Sequence, residues 1–283
     1  MIYDLIVLGT GPAGLAAAVG ARGRDKSVLV IGNPWQDSPL AKAEKVDNYL
    51  GLPGKCGKEL LETFYNHAVS MGAEFVFGRA ISIMAYREIM VAVGSDVYEG
   101  RSLILANGVQ RQSKFPGEEA LLGRGVSYCA TCDGMLYRKR PILVVGRSKE
   151  APQEANYLKN IGCQVTYTGL KKPEGLEEDI PFIKASRLEI LGDQVVSSVL
   201  LDGKEEKFDG VFVLRQAVAS TDLLPQLNVQ NGSIVVDRTM ATNLPGVYAA
   251  GDCTGAPLQV AKAVGEGHIA ALSVCEYLDS RKD

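Results

Sequence analysis

A glycine-rich turn near the N-terminus limits the fold of this 283-residue chain more than any other feature. A buried strand pattern at 5–8 leads into Gly9-Thr10-Gly11-Pro12-Ala13-Gly14, and an Ala-rich helical pattern and a second strand pattern at 27–31 follow. In such a β-α-β unit, the first glycine permits a tight turn, the second lets the backbone approach a pyrophosphate, and the third lets the helix pack on the strand. The helix N-terminus adds N–H groups and a positive dipole end, so the pattern predicts a dinucleotide site.

A second unit of the same kind begins near the middle of the chain. A strand pattern at 142–145 runs into Gly146, a helical pattern continues through Leu158, and a third segment at 163–167 is strand-like. Later, a buried strand pattern ends at Gly251 and Asp252 and so delivers a carboxylate to a cofactor, and an amphipathic helix follows. Because this segment comes after the second unit, we predict an α/β fold of two Rossmann-like dinucleotide-binding domains, the second inserted into the first.

Composition and charge exclude several classes of protein. With 46% hydrophobic and 22% charged residues, the chain is neither disordered, collagen-like nor a coiled coil. A net charge of −3 gives no basic excess that would favour nucleic acid. No apolar run approaches the roughly 18 residues of a membrane-spanning helix. The N-terminus has no basic segment typical of a signal peptide, so a cytoplasmic location is expected.

Two of the six cysteines form a Cys129-x-x-Cys132 pair. In a reducing compartment such a pair is more often redox-active or metal-binding than structural. A zinc site needs further ligands, but the chain has no second cysteine pair and only His67 and His268. A redox-active dithiol is therefore favoured over a zinc site or a structural disulfide, and no metal is expected. Cysteines 56, 163, 253 and 275 are expected to play no redox role, although Cys56 lies in a loop and its role stays open.

At this point the chain resembles the low-molecular-weight thioredoxin reductase family of flavoproteins. The string Tyr-Cys-Ala-Thr-Cys-Asp-Gly at 128–134 is the most specific match. Further matching segments lie at 9–14, 47–54, 106–108, 115–119, 125–127, 240–252 and 265–271. The resemblance implies an FAD-binding domain built from 1–111 and 245–283, an inserted domain of pyridine-nucleotide type at 112–244 that carries the cysteines, and a homodimer.

The resemblance also assigns roles to three residues of the redox centre. Cys132 is implied to face the flavin, and Cys129 to attack the disulfide of thioredoxin. Asp133 matches the acid that protonates and deprotonates the thiols, and its alternative role is that of a helix cap.

The implied FAD contacts follow from the matching segments. Asp252 is expected to bond the ribityl chain, and Asn48 lies in a loop that lines the flavin. Gln259 and Val260 are expected at the edge of the isoalloxazine, and a contact from His268 stays open. The remaining cofactor residues are Gly9, Gly11, Pro12, Ala13, Gly14, Ala106, Gly108 and Gly251. The chain departs from the family at 38–41, where Ser-Pro-Leu-Ala replaces Gly-Gly-Gln-Leu, and no acid ends the second strand.

A second set of departures concerns the nucleotide motif of the inserted domain. The family's Gly-Gly-Gly-Asp-Ser-Ala reads Gly-Arg-Ser-Lys-Glu-Ala at 146–151, which puts Ser148 in place of a glycine and Glu150 where a pyrophosphate would meet like charge. The family's His-Arg-Arg cluster, which holds the 2′-phosphate of NADPH, is replaced by Tyr-Thr-Gly-Leu-Lys-Lys at 167–172. The segment Gly-x-x-Pro-Asn is likewise changed, to Arg-Gln-Ala-Val-Ala at 215–219.

Because the flavin and dithiol motifs are kept, this pattern resembles the ferredoxin-linked flavin thioredoxin reductases, which use no pyridine nucleotide. Reduced ferredoxin is then the expected electron donor and thioredoxin the acceptor. Ferredoxins are acidic, and residues 111–149 carry eight basic against three acidic side chains, which fits a docking patch or an ordinary solvated surface. The alternatives are an NAD(P)H-dependent thioredoxin reductase with an altered pocket, a flavin-dependent oxidase of small dithiols, and a non-catalytic flavin-binding sensor.

Overall fold

The computed structural model describes residues 1–86, 88–108, 114–215 and 220–281. The chain divides into two compact units: unit 1 comprises Met1–Gln110 and Ala219–Asp283, and unit 2 comprises Arg111–Val218. Unit 2 is thus inserted into unit 1. The predicted fold class, two dinucleotide-binding folds with one inserted in the other, is confirmed.

The N-terminal part of unit 1 contains two helices and eight strands among its described residues. In chain order they are β1 (Ile2–Tyr3), β2 (Leu5–Leu8), α1 (Pro12–Arg22), β3 (Val28–Gly32), α2 (Gly57–Ser70), β4 (Glu74–Phe77), β5 (Ala80–Ala85), β6 (Ile89–Val93), β7 (Asp96–Gly100) and β8 (Leu103–Leu105). A smaller sheet has the order β1-β7-β6-β5. The glycine-rich motif at 9–14 forms the turn after β2 and the first residues of α1, as the sequence predicts.

Unit 2 is built around a parallel sheet. Its elements are β9 (Val126–Ser127), α3 (Ala130–Asp133), β10 (Pro141–Arg147), α4 (Ala151–Asn160), β11 (Gln164–Gly169), β12 (Phe182–Lys184), β13 (Leu188–Gly192), β14 (Val196–Leu201), β15 (Lys204–Lys207) and β16 (Gly210–Arg215). The parallel sheet has the order β12-β11-β10-β16-β9, and β13-β14-β15 form an antiparallel sheet. Alternate residues of β10 and β16 pack into two separate cores, as expected for strands covered on both faces.

The chain then returns to unit 1. The returning elements are α5 (Ser220–Leu223), β17 (Val229–Gln230), β18 (Ser233–Ile234), β19 (Val247–Ala249) and α6 (Val260–Asp279). Strand β19 completes a five-stranded parallel sheet of order β19-β8-β2-β3-β4. Its strands are almost fully buried except for the edge strand β4. Buried alanines on α1 and α6 let these helices pack closely, and the first half of α6 lies near the start of α1.

The C-terminal boundary of the insertion differs from the predicted one. The predicted inserted domain covers 112–244, whereas residues 220–244 belong to unit 1. The reason lies in the backbone pairing before β19: the N–H of Ala249 donates to the carbonyl of Met240 at 3.0 Å, and Ala241 forms an antiparallel bridge with Tyr248. These contacts bring the chain onto the sheet of unit 1 before Pro245.

Among the described residues, none of the helices combines the length and the apolar character needed to cross a membrane.

Candidate active site

The glycine-rich turn of unit 1 has the geometry of a pyrophosphate cradle. Gly9 has φ +122°, and a Cβ there would lie 2.1 Å from the carbonyl oxygen of Ala106. A Cβ at Gly14 would lie 1.9 Å from the carbonyl oxygen of Gly9, whereas one at Gly11 would meet no atom within 4 Å. Helix α1 has neither a capping side chain nor an acidic residue in its first turn. Its N-terminal N–H groups therefore remain available to an anion beside the open face of Gly11.

The turn that follows β19 packs against the same helix. Gly251 has φ +86°, and a Cβ there would lie 2.8 Å from the Cβ of Ala13. Asp252, half-buried, comes directly after it and begins a short 3₁₀ turn. Gly108 also has a positive φ, +68°, and open space around it. The structure thus brings the predicted residues of the first turn, of 106–108 and of 251–252 to one end of the sheet of unit 1.

Two further predicted cofactor residues meet although they lie far apart in the sequence. The side-chain amide of Asn48 donates to Oε1 of Gln259 at 2.8 Å. Gln259 is the N-cap residue of α6, and Val260 is the first residue of that helix. Asn48 and Gln259 are both exposed, so their polar groups are accessible to a ligand.

Lys262 and Glu266, which the sequence analysis missed, fasten the turn after β19 to α6. Nζ of Lys262 donates to the carbonyls of Gly251 at 2.8 Å and Gly255 at 2.7 Å, and contacts the hydroxyl of Thr254 at 2.8 Å. Glu266 Oε2 accepts the N–H of Gly251 at 2.9 Å and lies 3.1 Å from Lys262 Nζ. The i,i+4 spacing of a lysine and a glutamate at the start of α6 is the signal that could have indicated the pair.

Replacing Lys262 with methionine is expected to lower the free energy of unfolding of unit 1 by about 3 kcal/mol, because the largely buried carboxylate of Glu266 loses its counter-charge. Trp35, the single tryptophan, is buried in the core of unit 1, so its fluorescence during urea unfolding measures the effect. The matched control is Lys58→Met, since Lys58 is exposed on α2. Equal losses in the two variants would contradict the assigned role.

In unit 2, Cys129 and Cys132 form a disulfide with their Cα atoms 5.4 Å apart. Cys129 is the N-cap residue of α3, and its Sγ accepts the N–H of Cys132 at 3.0 Å. Cys129 is buried, whereas Cys132 is exposed. The two sulfur atoms are therefore held where a dithiol can close or open.

Asp133 ends α3, and its carboxylate faces back toward β9. Ser127 donates its hydroxyl hydrogen to Oδ2 of Asp133 at 2.6 Å. The cap of α3 is Cys129, and Asp133 makes no side-chain cap bond to the 3₁₀ turn that follows. The alternative role of Asp133 as a helix cap therefore finds no support in its hydrogen bonds.

A buried ion pair, also missed by the sequence analysis, supports the segment before the dithiol. The carboxylate of Glu118 is inaccessible to solvent and accepts hydrogen bonds from both terminal nitrogens of Arg215. The bond from Nη2 to Oε2 is 2.8 Å long. It also accepts the hydroxyl of Tyr128 and the N–H of Phe115, each at 2.8 Å. Burial alone would raise the pKa of Glu118, but these bonds and the Arg215 charge outweigh it and hold the pKa below its usual value. Since Tyr128 directly precedes Cys129, the pair fixes the approach to the dithiol.

The carboxyl ends of β10 and β16 are occupied by the protein's own side chains. Arg147 and Arg215 lie opposite each other in the register of these strands. The guanidinium groups of both lie over the ring of Phe115, 5.2 Å and 5.4 Å from its centroid. In an open α/β sheet, this end of the strands is where ligands bind.

The glycine that remains in the second motif serves a different purpose from that of a phosphate turn. A Cβ at Gly146 would lie 1.6 Å from the hydroxyl oxygen of Tyr167. Burial, with a smaller contribution from the Glu154 charge, raises the pKa of Tyr167 to about 12. Gly146 therefore makes room for a buried tyrosine side chain.

Exposed apolar and basic side chains follow the dithiol in the sequence. Met135 and Leu136 are 54% and 70% exposed. The half-buried Tyr137 comes next, followed by Arg138, Lys139 and Arg140, which are all exposed. This set, 135–140, is called the post-dithiol surface below.

Three of the earlier predictions fall on residues outside the described part of the chain. They are Arg111 of the basic set, the 111/112 boundary and the changed segment 216–219.

The remaining cysteines are buried or serve a local role. Burial raises the pKa of the thiols of Cys163, Cys253 and Cys275, to about 12 for Cys253. Cys56 caps α2, where its Sγ accepts the N–H of Glu59 at 3.5 Å. Within the described ranges, no three His, Cys, Asp or Glu side chains come together in a way that could hold a metal ion.

The imidazole of His268 packs against the C-terminal half of α1. A Cβ at Gly20 would lie 3.0 Å from Nδ1 of His268, so this histidine packs near the C-terminal end of α1. The pyrophosphate cradle is at the other end of that helix. The flavin contact left open for His268 therefore gains no support.

Known proteins resemble the chain over nearly its whole length. Residues 3–173 and 174–267 match the family described as pyridine nucleotide-disulphide oxidoreductases. A thioredoxin reductase of Aquifex aeolicus (strain VF5) is 36% identical over 99% of this chain and 95% of its own length. A solved ferredoxin-flavin thioredoxin reductase from Clostridium acetobutylicum is 42% identical, with a TM-score of 0.89 and 99% of each chain covered. A solved thioredoxin reductase from Gloeobacter violaceus is 32% identical, with a TM-score of 0.81 over 99% of this chain and 95% of that one.

Proposed function

Because the chain belongs to the pyridine nucleotide-disulphide oxidoreductase family and, within it, to the thioredoxin reductases, we propose that it reduces the disulfide of thioredoxin with electrons from reduced ferredoxin. It is an oxidoreductase that acts on a disulfide, and its family implies a flavin cofactor. The observation that carries the choice of donor is the contrast between the two units. Unit 1 keeps an open pyrophosphate cradle, whereas unit 2 fills the corresponding end of its sheet with Arg147, Arg215 and Phe115.

The cofactor that we propose is FAD bound by unit 1. The open face of Gly11 and the uncapped start of α1 fit its pyrophosphate. Asp252 would bond the ribityl chain, and the paired Asn48 and Gln259 would meet the polar edge of the ring. Gly9, Pro12, Ala13, Gly14, Ala106, Gly108, Gly251 and Val260 would complete the site. When bound, FAD supplies the link between one-electron and two-electron chemistry.

The dithiol would then carry the electrons to the substrate. Two electrons and one proton delivered to the Cys129–Cys132 disulfide break the S–S bond and leave one thiol and one thiolate. Following the resemblance to the family, we assign the flavin-facing role to Cys132 and the attack on thioredoxin to Cys129. Because Cys129 is the more buried of the two cysteines here, this assignment requires that Cys129 become accessible when the substrate binds. Attack of the Cys129 thiolate on the substrate disulfide forms a mixed disulfide and releases one substrate thiolate. Attack of Cys132 on Cys129 then re-forms the Cys129–Cys132 disulfide and releases the second.

The post-dithiol surface suits a protein substrate. Met135 and Leu136 expose apolar area three and four residues after Cys132, and the basic residues 138–140 are all exposed. Apolar contact supplies affinity, and charge supplies orientation, when two proteins meet briefly for thiol exchange. These features support thioredoxin, rather than a small dithiol, as the partner.

Several features support a donor other than NADPH. A bound dinucleotide would have to displace the Arg147 and Arg215 guanidinium groups from Phe115, and the second of these is tied to the buried Glu118. Gly146 is already in contact with Tyr167, so it offers no room for a pyrophosphate. A protein donor of single electrons needs no nucleotide pocket, which is consistent with this arrangement.

The test is an anaerobic titration of the FAD-loaded protein. We expect chemically reduced ferredoxin to bleach the flavin absorbance band and, with thioredoxin present, to support steady formation of thioredoxin thiols. NADPH at equal reducing equivalents is expected to leave the band unchanged. Bleaching by NADPH alone would overturn the choice of donor. Peroxide formation from a small dithiol without thioredoxin turnover would favour an oxidase, and a flavin band that neither donor changes would favour a sensor.

The homodimer and the cytoplasmic location remain predictions. The homodimer derives from the resemblance to the family.

A further inference from the structure

Ser127 lies at the centre of the hydrogen bonds around the dithiol. It ends β9, is only 4% exposed, and lies opposite Phe212 of β16 in a parallel pairing that fixes its backbone. Its Oγ is 2.6 Å from Oδ2 of Asp133 and 3.2 Å from the carbonyl oxygen of Cys129, and it accepts the N–H of Cys129 at 3.0 Å. A hydroxyl has one hydrogen to donate, and the nearer, charged carboxylate is the stronger acceptor.

We propose that Ser127 is a positioning residue for proton transfer at the dithiol. It joins the backbone of Cys129 to the carboxylate of Asp133, so that the carboxylate is held on the side of α3 that faces β9. The proposal rests on the proposed function, because it takes Asp133 as the group that exchanges protons with the thiols. It adds the residue that places this carboxylate, which neither the sequence motif nor the family comparison assigns.

The proton of the Cys132 thiol needs an acceptor during the exchange of disulfides, and the Asp133 carboxylate would supply it. In the reduced protein, one thiol proton, one thiolate and one Asp133 carboxylate are present. Once the Cys129 thiolate has formed the mixed disulfide, the Cys132 thiol gives its proton to Asp133, and the Cys132 thiolate attacks Cys129. The substrate thiolate that leaves takes the proton from Asp133. Two electrons pass from the dithiol to the substrate disulfide, and Asp133 ends as it began.

Two other titratable groups, Tyr137 and Cys163, lie near the C-terminal end of α3. Tyr137, on the 3₁₀ turn after α3, has a pKa raised first by burial and then by the Asp133 charge, and Arg140 and Asp209 act on the same tyrosine. Cys163 donates its thiol to the carbonyl of Gly134. Among the described residues, Ser127 is the group whose hydroxyl donates a hydrogen bond directly to the Asp133 carboxylate.

The experiment measures the dithiol itself and needs neither ferredoxin nor thioredoxin. The FAD-loaded protein is reduced with dithiothreitol and desalted, and its reaction with an aromatic disulfide reagent is followed across pH. Ser127→Ala is expected to slow the second step, the closure of the Cys129–Cys132 disulfide, by roughly ten-fold and to displace the pH profile of that step. Ser127→Thr keeps the hydroxyl on a strand residue and is expected to restore the wild-type rate within about three-fold.

Two controls separate positioning from structure. Ser198→Ala removes an equally buried serine of unit 2 that donates to the carboxylate of Glu205 at 2.6 Å, and it is expected to leave rate and pH profile unchanged. In an Asp133→Asn background, Ser127→Ala is expected to add less than about a two-fold loss, because both changes remove one function. An unchanged pH profile in Ser127→Ala, or full additivity with Asp133→Asn, would overturn the proposal. A normal dithiol reaction in a protein that fails to reduce thioredoxin would instead count against the proposed function.

Discussion

Replacing Cys132 with serine is expected to abolish disulfide reduction, with a loss of at least about 10³-fold in turnover. The variant has no resolving thiol, so the mixed disulfide formed at Cys129 cannot open within the protein. Flavin binding is expected to be unchanged, because the proposed cofactor residues lie in unit 1 and the dithiol lies in unit 2. Turnover is measured as thioredoxin thiols formed under anaerobic ferredoxin reduction, and flavin content by absorbance.

The same variant tests the division of roles between the two cysteines. A thioredoxin that retains only its exposed cysteine, activated as a mixed disulfide with an aromatic thiol, is expected to form a covalent adduct with Cys132→Ser and none with Cys129→Ser. Mass spectrometry detects the adduct. The control is Cys56→Ser, where serine is also a good N-cap for α2, so activity is expected to persist. An adduct with Cys129→Ser alone would reverse the assigned roles.

The parts of the fold that follow from local chemistry could be predicted from the sequence. The turn at 9–14 needs Gly9 and Gly14 because neighbouring carbonyls leave no room for a Cβ, and this requirement is visible in the spacing of the glycines. The Cys-x-x-Cys pair is likewise local, since the first turn of α3 brings its two cysteines close enough to form a disulfide. In both cases the sequence carries the whole constraint.

Contacts between distant residues could not be predicted in the same way. Glu118 and Arg215 are 97 positions apart, and neither the acid in a loop nor the arginine at the end of a strand has a periodic pattern that points to the other. The division into compact units differs from the boundary predicted at 245 for a related reason, because the bridge between Ala241 and Tyr248 depends on where β19 pairs. The changed motif at 146–151 predicts the loss of a nucleotide turn, but the side chains that lie at this end of the sheet became visible only in the structure.

Glu118→Ala is expected to lower the free energy of unfolding of unit 2 by about 3–5 kcal/mol. The change leaves the Arg215 guanidinium, whose side chain is 11% exposed, without its buried counter-charge. It also removes the acceptor of the Tyr128 hydroxyl and of the Phe115 N–H. Native-state hydrogen exchange of the β10 and β16 amides measures the loss within unit 2 itself. The double variant Glu118→Leu/Arg215→Met is expected to lose much less stability than Glu118→Ala, since apolar side chains of similar size can replace a buried ion pair.

The pH dependence of this stability has a definite sign. Because the pKa of Glu118 is lower in the folded protein than in the unfolded chain, the unfolded state binds the proton more tightly. The stabilisation is therefore fully present above the unfolded value of about 4.3 and is lost as the pH falls through the folded value. The stability gap between wild type and Glu118→Gln should accordingly narrow toward acid pH, whereas Glu119→Gln, which changes an exposed neighbour, should show no such gap. A gap that widened toward acid pH would mean that Glu118 is protonated in the folded protein, and Arg215 would then need another buried anion.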